Sequence, residues 1–130
     1  MARAASPTSV HRHVAIVVDD DVNVRRLFHD ALEEAGIGAR VTASGEEALH
    51  VAETHPETCV VLADVHMPRM DGWDLERELR RSAPGLPVVL VTADRLLSIR
   101  GAGVRDKPVS AADIAALVRT SCESEDAVEN

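Results

Sequence analysis

Four places in this 130-residue chain put polar, chemically capable side chains directly after short apolar runs. VAIVV leads into Asp19, Asp20 and Asp21, and VVLA leads into Asp64. LPVVLV leads into Thr92, and Val104-Arg105-Asp106 leads into Lys107-Pro108. A carboxylate after an apolar run can be an ordinary charged strand end. It can also be a nucleophile pinned on a rigid floor. Several carboxylates gathered without a cation would repel one another and raise each other's pKa. A hard cation resolves that conflict, and a donor set of oxygens alone favours magnesium, with manganese able to replace it. A nearby ammonium adds positive charge, and a threonine hydroxyl adds a small donor that can be aimed. This combination suits phosphoryl chemistry, in which a carboxylate attacks phosphorus and the transferred oxygens need neutralising. Asp64, alone at the end of the most apolar run, is the best-placed nucleophile.

The elements that would position these groups alternate in type. Val14–Val18 is β-branched and apolar, the pattern of a buried strand. From Asp21 the apolar residues Val24, Leu27, Phe28, Ala31, Leu32 and Ala35 recur at helical spacing, and Gly36 closes the helix. Ala39-Arg40-Val41-Thr42 is a weak second strand, followed by Ser44 and Glu47 at the spacing of a helix-capping pair. Ala48, Leu49, Val51 and Ala52 continue that helix, and Pro56 ends it. TCVVLAD is a third strand. After Asp71-Gly72 a helix marked by Leu75 and Leu79 runs to Ser82. Leu86 to Thr92 is a fourth strand and Val104 to Asp106 a short fifth. Ser110 and Asp113 open a last helix carrying Ile114, Leu117 and Val118. Apolar strands alternating with amphipathic helices imply a parallel sheet covered on both faces, a three-layer doubly wound α/β fold of five βα units. In such folds the site lies beyond the carboxyl ends of the strands. Residues 1–13 are expected as a loose arm, residues 14–121 as one domain and residues 122–130 as an acidic tail.

Together VVDDD (17–21), ADVHMPRMDG (63–72), VTA (91–93) and KP (107–108) resemble the receiver domain of two-component response regulators. The resemblance covers Val14 to about Ser121. Each motif alone is weak, but their order on successive strand ends is specific. The resemblance implies a flavodoxin-like fold with strand order 2-1-3-4-5, in the manner of stand-alone chemotaxis regulators. It implies that Asp64 accepts a phosphoryl group from a histidine kinase or a histidine phosphotransfer protein. Asp20 would bind magnesium directly, Asp19 mainly through water, and Asp64 and the His66 backbone carbonyl would complete the protein ligands. Thr92 and Lys107 would hold the phosphoryl group. His66 and Asp94, flanking the path of an attacking water, would modulate its lifetime. Such a domain catalyses only its own phosphorylation and dephosphorylation, and passes the signal to a downstream protein. No output domain is expected after the last helix.

The chain departs from that pattern between Thr92 and Lys107, where it is roughly two helical turns short. Leu96, Leu97 and Ile99 leave a stub of helix. The switch aromatic before the lysine is replaced by Val104, and the aromatic often found after Lys-Pro by Val109. Valine cannot swing a ring between inward and outward positions, so the usual threonine–aromatic coupling is not expected. Two other functions compete. One is a degenerate receiver that binds partners without phosphorylation. The other is a magnesium-dependent phosphohydrolase with an aspartate nucleophile, which commonly has a second aspartate where this chain has His66.

Composition narrows the rest. Net charge is −8, from 22 acidic and 14 basic residues, which argues against direct binding to nucleic acid. Nothing resembles a membrane span or a signal peptide, so a cytoplasmic, reduced protein is the default. Cys59, in an apolar run, is expected as a buried free thiol, and Cys59 and Cys122 lack metal-type spacing. Asp21 is expected as a helix cap, Asp71-Gly72 as a plain turn, His11 and His13 as an incidental pair, and Trp73 as a packing anchor. Arg69 and Arg95 are expected to face solvent.

Overall fold

The computed structural model describes residues 13–94, 104–108 and 110–129. Five strands, β1 (Val14–Val18), β2 (Gly38–Thr42), β3 (Val60–Asp64), β4 (Val88–Thr92) and β5 (Val104–Asp106), form one parallel sheet in the order β2-β1-β3-β4-β5. Among the described residues four helices cover it: α1 (Val22–Glu34), α2 (Gly45–Thr54), α3 (Gly72–Ser82) and α4 (Ala111–Glu129). The expected α/β class, layer arrangement and strand order are those observed. The helical stub expected around Leu96, Leu97 and Ile99 lies outside the described residues, as do Arg95 and Val109.

The helix starts are capped by side chains read directly from the sequence. Asp21 accepts from the Asn23 amide, Ser44 from the Glu47 amide, and Ser110 from the Asp113 amide. At α3 the cap is reciprocal: Asp71 accepts from the Asp74 amide while the Asp74 carboxylate accepts from the Asp71 amide.

Side chains alternate across each strand, so the sheet has two apolar faces. On one, Ala15, Val17, Val60 and Leu62 pack with Phe28, Leu32, Ile114 and Val118 of α1 and α4. On the other, Ile16, Val18, Val61 and Ala63 pack with Ala48, Leu75 and Leu79 of α2 and α3. Val104 fills this second core. The floor beneath the strand ends is thus almost wholly aliphatic, and Phe28 is the chain's one phenylalanine.

Two expectations are corrected here. The segment expected as an acidic tail continues α4 to Glu129. Neither Gly nor Pro interrupts residues 111–129, and Ala and Glu are good helix formers, so backbone propensity carries the helix through the acidic run. Cys59 is not a free thiol: it forms a disulfide with Cys122, with a Cα–Cα distance of 5.4 Å. The reason is packing: the last helix lies against α1 and β3, and Cys122 sits in the same core against which Cys59 packs.

Candidate functional site

The parallel register brings the polar strand ends together. Val18 pairs with Ala63, Asp64 with Val91 and Thr92 with Asp106. Asp19 and Asp64 therefore sit side by side, one step beyond Val18 and Ala63, the last pair between β1 and β3. Each continues the row of alternate residues that faces α1 and α4, at the point where apolar packing gives way to the sheet edge.

Each group is held by the backbone around it. The Asp19 amide donates to the Thr42 carbonyl at 3.1 Å, and the Asp21 amide donates to Asp19 Oδ1 at 2.9 Å. The His66 amide reaches Asp64 Oδ1 at 3.3 Å. The Lys107 amide donates to the Thr92 carbonyl at 2.8 Å, which sets the lysine at the end of β5. The Thr92 side chain is fully buried, and its Oγ1 accepts from the Asp94 amide at 3.0 Å.

Lys107 Nζ lies 2.8 Å from Asp19 Oδ2 and 3.5 Å from Asp64 Oδ2. One ammonium therefore bridges two buried carboxylates. Carboxylate oxygens of Asp19, Asp20 and Asp64 can all come within 4.8 Å of one another; Asp20 is exposed and the other two are buried. Burial pushes the Asp64 carboxyl above the ordinary range, and the neighbouring Asp19 pushes it further, against the opposing pull of Lys107. Burial works against the Lys107 charge, but the hydrogen bond and attraction of Asp19, with a smaller contribution from Asp64, hold its pKa above the usual lysine value. The site is short of positive charge. Its donors are hard oxygens, and the donor set fits magnesium or a similar ion.

The loop after Asp64 is shaped by three features. Val65 and Met67 are buried and anchor it, Pro68 accepts from the Met70 amide, and Arg69 takes a left-handed backbone with φ 66°. The Arg69 side chain is exposed and pairs with Glu46 at 3.6 Å. Trp73 is half-buried against the α2–α3 core, the packing role expected of it.

Three contributors were not read from the sequence. Arg25 donates from a terminal guanidinium nitrogen to the Asp19 carbonyl at 2.8 Å, steadying the acidic loop from α1. Its place one turn after the N-cap was the available signal. Gly72, taken as part of a plain turn, is the second. A Cβ there would stand 2.7 Å from the Asp64 carbonyl oxygen and 2.9 Å from Val65 Cα, so only glycine lets α3 pack this close to the end of β3. The third is the disulfide, whose partners are 63 residues apart and carry no local signal. The sequence-predicted Asp19, Asp20, Asp64, Thr92 and Lys107 all stand at the same end of the sheet. His66 and Asp94 are both exposed beside it.

A sequence model of the response regulator receiver domain matches residues 15–119. Among curated relatives, a probable transcriptional regulator, ycf27, of Cyanophora paradoxa is 32% identical over 119 residues, covering 85% of this chain and 48% of its own length. The response regulator MprA of Mycolicibacterium vanbaalenii is 38% identical over 89 residues, covering 68% of this chain and 38% of its own length. The chain thus spans between a third and a half of these relatives. A solved receiver domain protein from Clostridium thermocellum superposes with a TM-score of 0.76 at 22% identity, over 89% of this chain and 98% of that one, which shows the shared fold. With the fold, the converging strand ends and a family match over most of its length, the chain belongs to the response regulator receiver domains of two-component signalling.

Proposed function

We propose that this domain is a phosphoacceptor and that Asp64 is the residue phosphorylated. The observation that carries this is the buried Asp64 carboxylate at the end of β3, its pKa raised, beside Asp19, Asp20 and the bridging Lys107. A carboxylate oxygen of Asp64 attacks the phosphorus of a phosphohistidine on a histidine kinase or a histidine phosphotransfer protein. The phosphorus–nitrogen bond breaks as the acyl-phosphate bond forms, and the imidazole leaves with the electron pair.

Asp19, Asp20, Asp64 and the His66 carbonyl would hold Mg²⁺, or Mn²⁺ in its place. Bound there, the ion supplies charge neutralisation on the transferred oxygens. Lys107, now shared between Asp19 and Asp64, supplies a second positive charge within reach of the product. The Thr92 hydroxyl can donate to a phosphoryl oxygen while its Oγ1 still accepts from the Asp94 amide. Exposed His66 and Asp94 stand where they can alter the approach of a hydrolytic water. The domain catalyses only its own phosphorylation and dephosphorylation, and acts through altered binding to a protein partner. A cytoplasmic location and the absence of direct nucleic-acid contact belong to this reading; among the described residues no helix is long and apolar enough to cross a membrane.

Incubation with a small phosphodonor and magnesium, followed by intact mass, tests the proposal. A gain of one phosphoryl mass that disappears in Asp64→Asn is the expected result. No gain would favour a phosphorylation-independent interaction module. Steady turnover of a generic phosphate ester would favour a phosphohydrolase.

A further inference from the structure

Opposite the acidic pocket, at the amino-terminal end of the sheet, three metal-capable side chains meet. His13 immediately precedes β1, Cys59 immediately precedes β3, and Cys122 lies in α4. One ligand atom from each lies within 4.8 Å of the others. We propose that, when the disulfide is reduced, these three residues form a binding site for one zinc-class divalent cation.

The donor set is two thiolates and an imidazole, the softness that selects zinc over magnesium. Tetrahedral zinc at ordinary Zn–S and Zn–N lengths separates its ligand atoms by about 3.5–3.8 Å, well inside the observed spread. The backbone is already placed. The His13 carbonyl accepts from the Gly38 amide at 2.9 Å, and the Cys59 amide donates to the Val14 carbonyl at 2.8 Å. Both residues are thus fixed by the sheet ladder. Cys122 is 1% exposed and packs among the residues of the α1–α4 core, so α4 presents its sulfur from a rigid, dry wall. Opening the disulfide leaves the two Cα atoms 5.4 Å apart, and rotation about the side-chain torsions lets the sulfurs part around an ion.

The chemistry balances. A phosphine or thiol reductant supplies two electrons, and two protons give two thiols. Binding then releases both thiol protons as the two thiolates and the neutral imidazole coordinate the cation, leaving a fourth position for water. The same three side chains therefore offer two alternative clasps between α4 and the sheet, one covalent and one coordinate. The site is six residues along β1 from Asp19, about 20 Å at strand rise, so it does not share an ion with the acidic pocket.

The test is titration of the full chain with Co²⁺, then Zn²⁺, after reduction by a phosphine, read by absorbance and native mass spectrometry. Thiolate–cobalt charge-transfer absorption, one metal per chain and displacement by Zn²⁺ are expected. The signal should persist in Asp64→Asn, which removes a pocket carboxylate. It should vanish in Cys59→Ser and in the oxidised wild-type chain, which keeps its fold. His13→Ala should weaken binding by about tenfold or more while retaining the charge-transfer band. Absence of thiolate absorption in the reduced wild type, or zinc binding unaffected by oxidation, overturns the proposal. Equal affinity in His13→Ala removes the imidazole from the site and overturns it in this form.

Discussion

Asp64 is held in a state that opposes its own charge. Burial, then Asp19, raise its pKa, so the folded chain binds its proton more tightly than the unfolded chain does. The sign follows: Asp64 contributes no penalty in acid below the unfolded carboxylate value of about 3.9, and a growing one as pH rises through its folded pKa. In metal-free buffer at neutral pH, Asp64→Asn should therefore be more stable than wild type, and the gap should close in acid. Urea denaturation of both chains across that range checks this, and parallel curves would count against it. Added magnesium should narrow the neutral-pH gap by binding the wild-type site. Lys107 has the opposite logic. Its pKa is raised by Asp19 and Asp64 against the cost of burial, so its stabilising contribution is present at neutral pH and lost only as pH rises through its folded pKa. Lys107→Met should leave Asp19 buried beside Asp64 without its ammonium and cost on the order of 1–3 kcal/mol, read by thermal denaturation.

The strand ends were legible because composition and spacing act locally there. VAIVV and VVLAD are apolar runs broken by acids, and the caps at Asp21, Ser44 and Ser110 advertise helix starts. What escaped the sequence depends on approach between elements. Asp71-Gly72 looks like a turn in any chain; only the packing of α3 onto Asp64 shows that the glycine is a contact surface. Gly72→Ala should cost about 1–3 kcal/mol, since the added methyl meets backbone atoms that cannot swing aside. It should also slow phosphorylation of Asp64 by tilting its carbonyl, which a phosphodonor time course would register. A variant with wild-type stability would show that α3 can back away. The acidic stretch at the end of α4 was misread for a related reason: polarity suggested a tail, while unbroken helix-forming residues set the backbone. The cysteine pair was misread because reading Cys59 in isolation ignores which helix packs at its side.

At the scale of the molecule, the two faces of the sheet are stabilised differently. The α2–α3 face depends on aliphatic packing, into which the small branched side chain of Val104 on β5 is built. The α1–α4 face has packing plus the Cys59–Cys122 bond. By the chain-entropy model a disulfide closing 63 residues stabilises by about 4 kcal/mol. Reduction in metal-free buffer should lower the urea midpoint accordingly, and an unchanged midpoint would mean the unfolded chain is already constrained. The bond also divides the sequence in a particular way. Asp64, Thr92 and Lys107 lie inside the closed loop, whereas Asp19 and Asp20 lie before it. A protease that cuts once anywhere between residues 60 and 121 would leave two fragments that travel as one mass until a reductant separates them. The oxidised receiver could then be severed in its backbone between Asp64 and Lys107, yet remain a single covalent molecule.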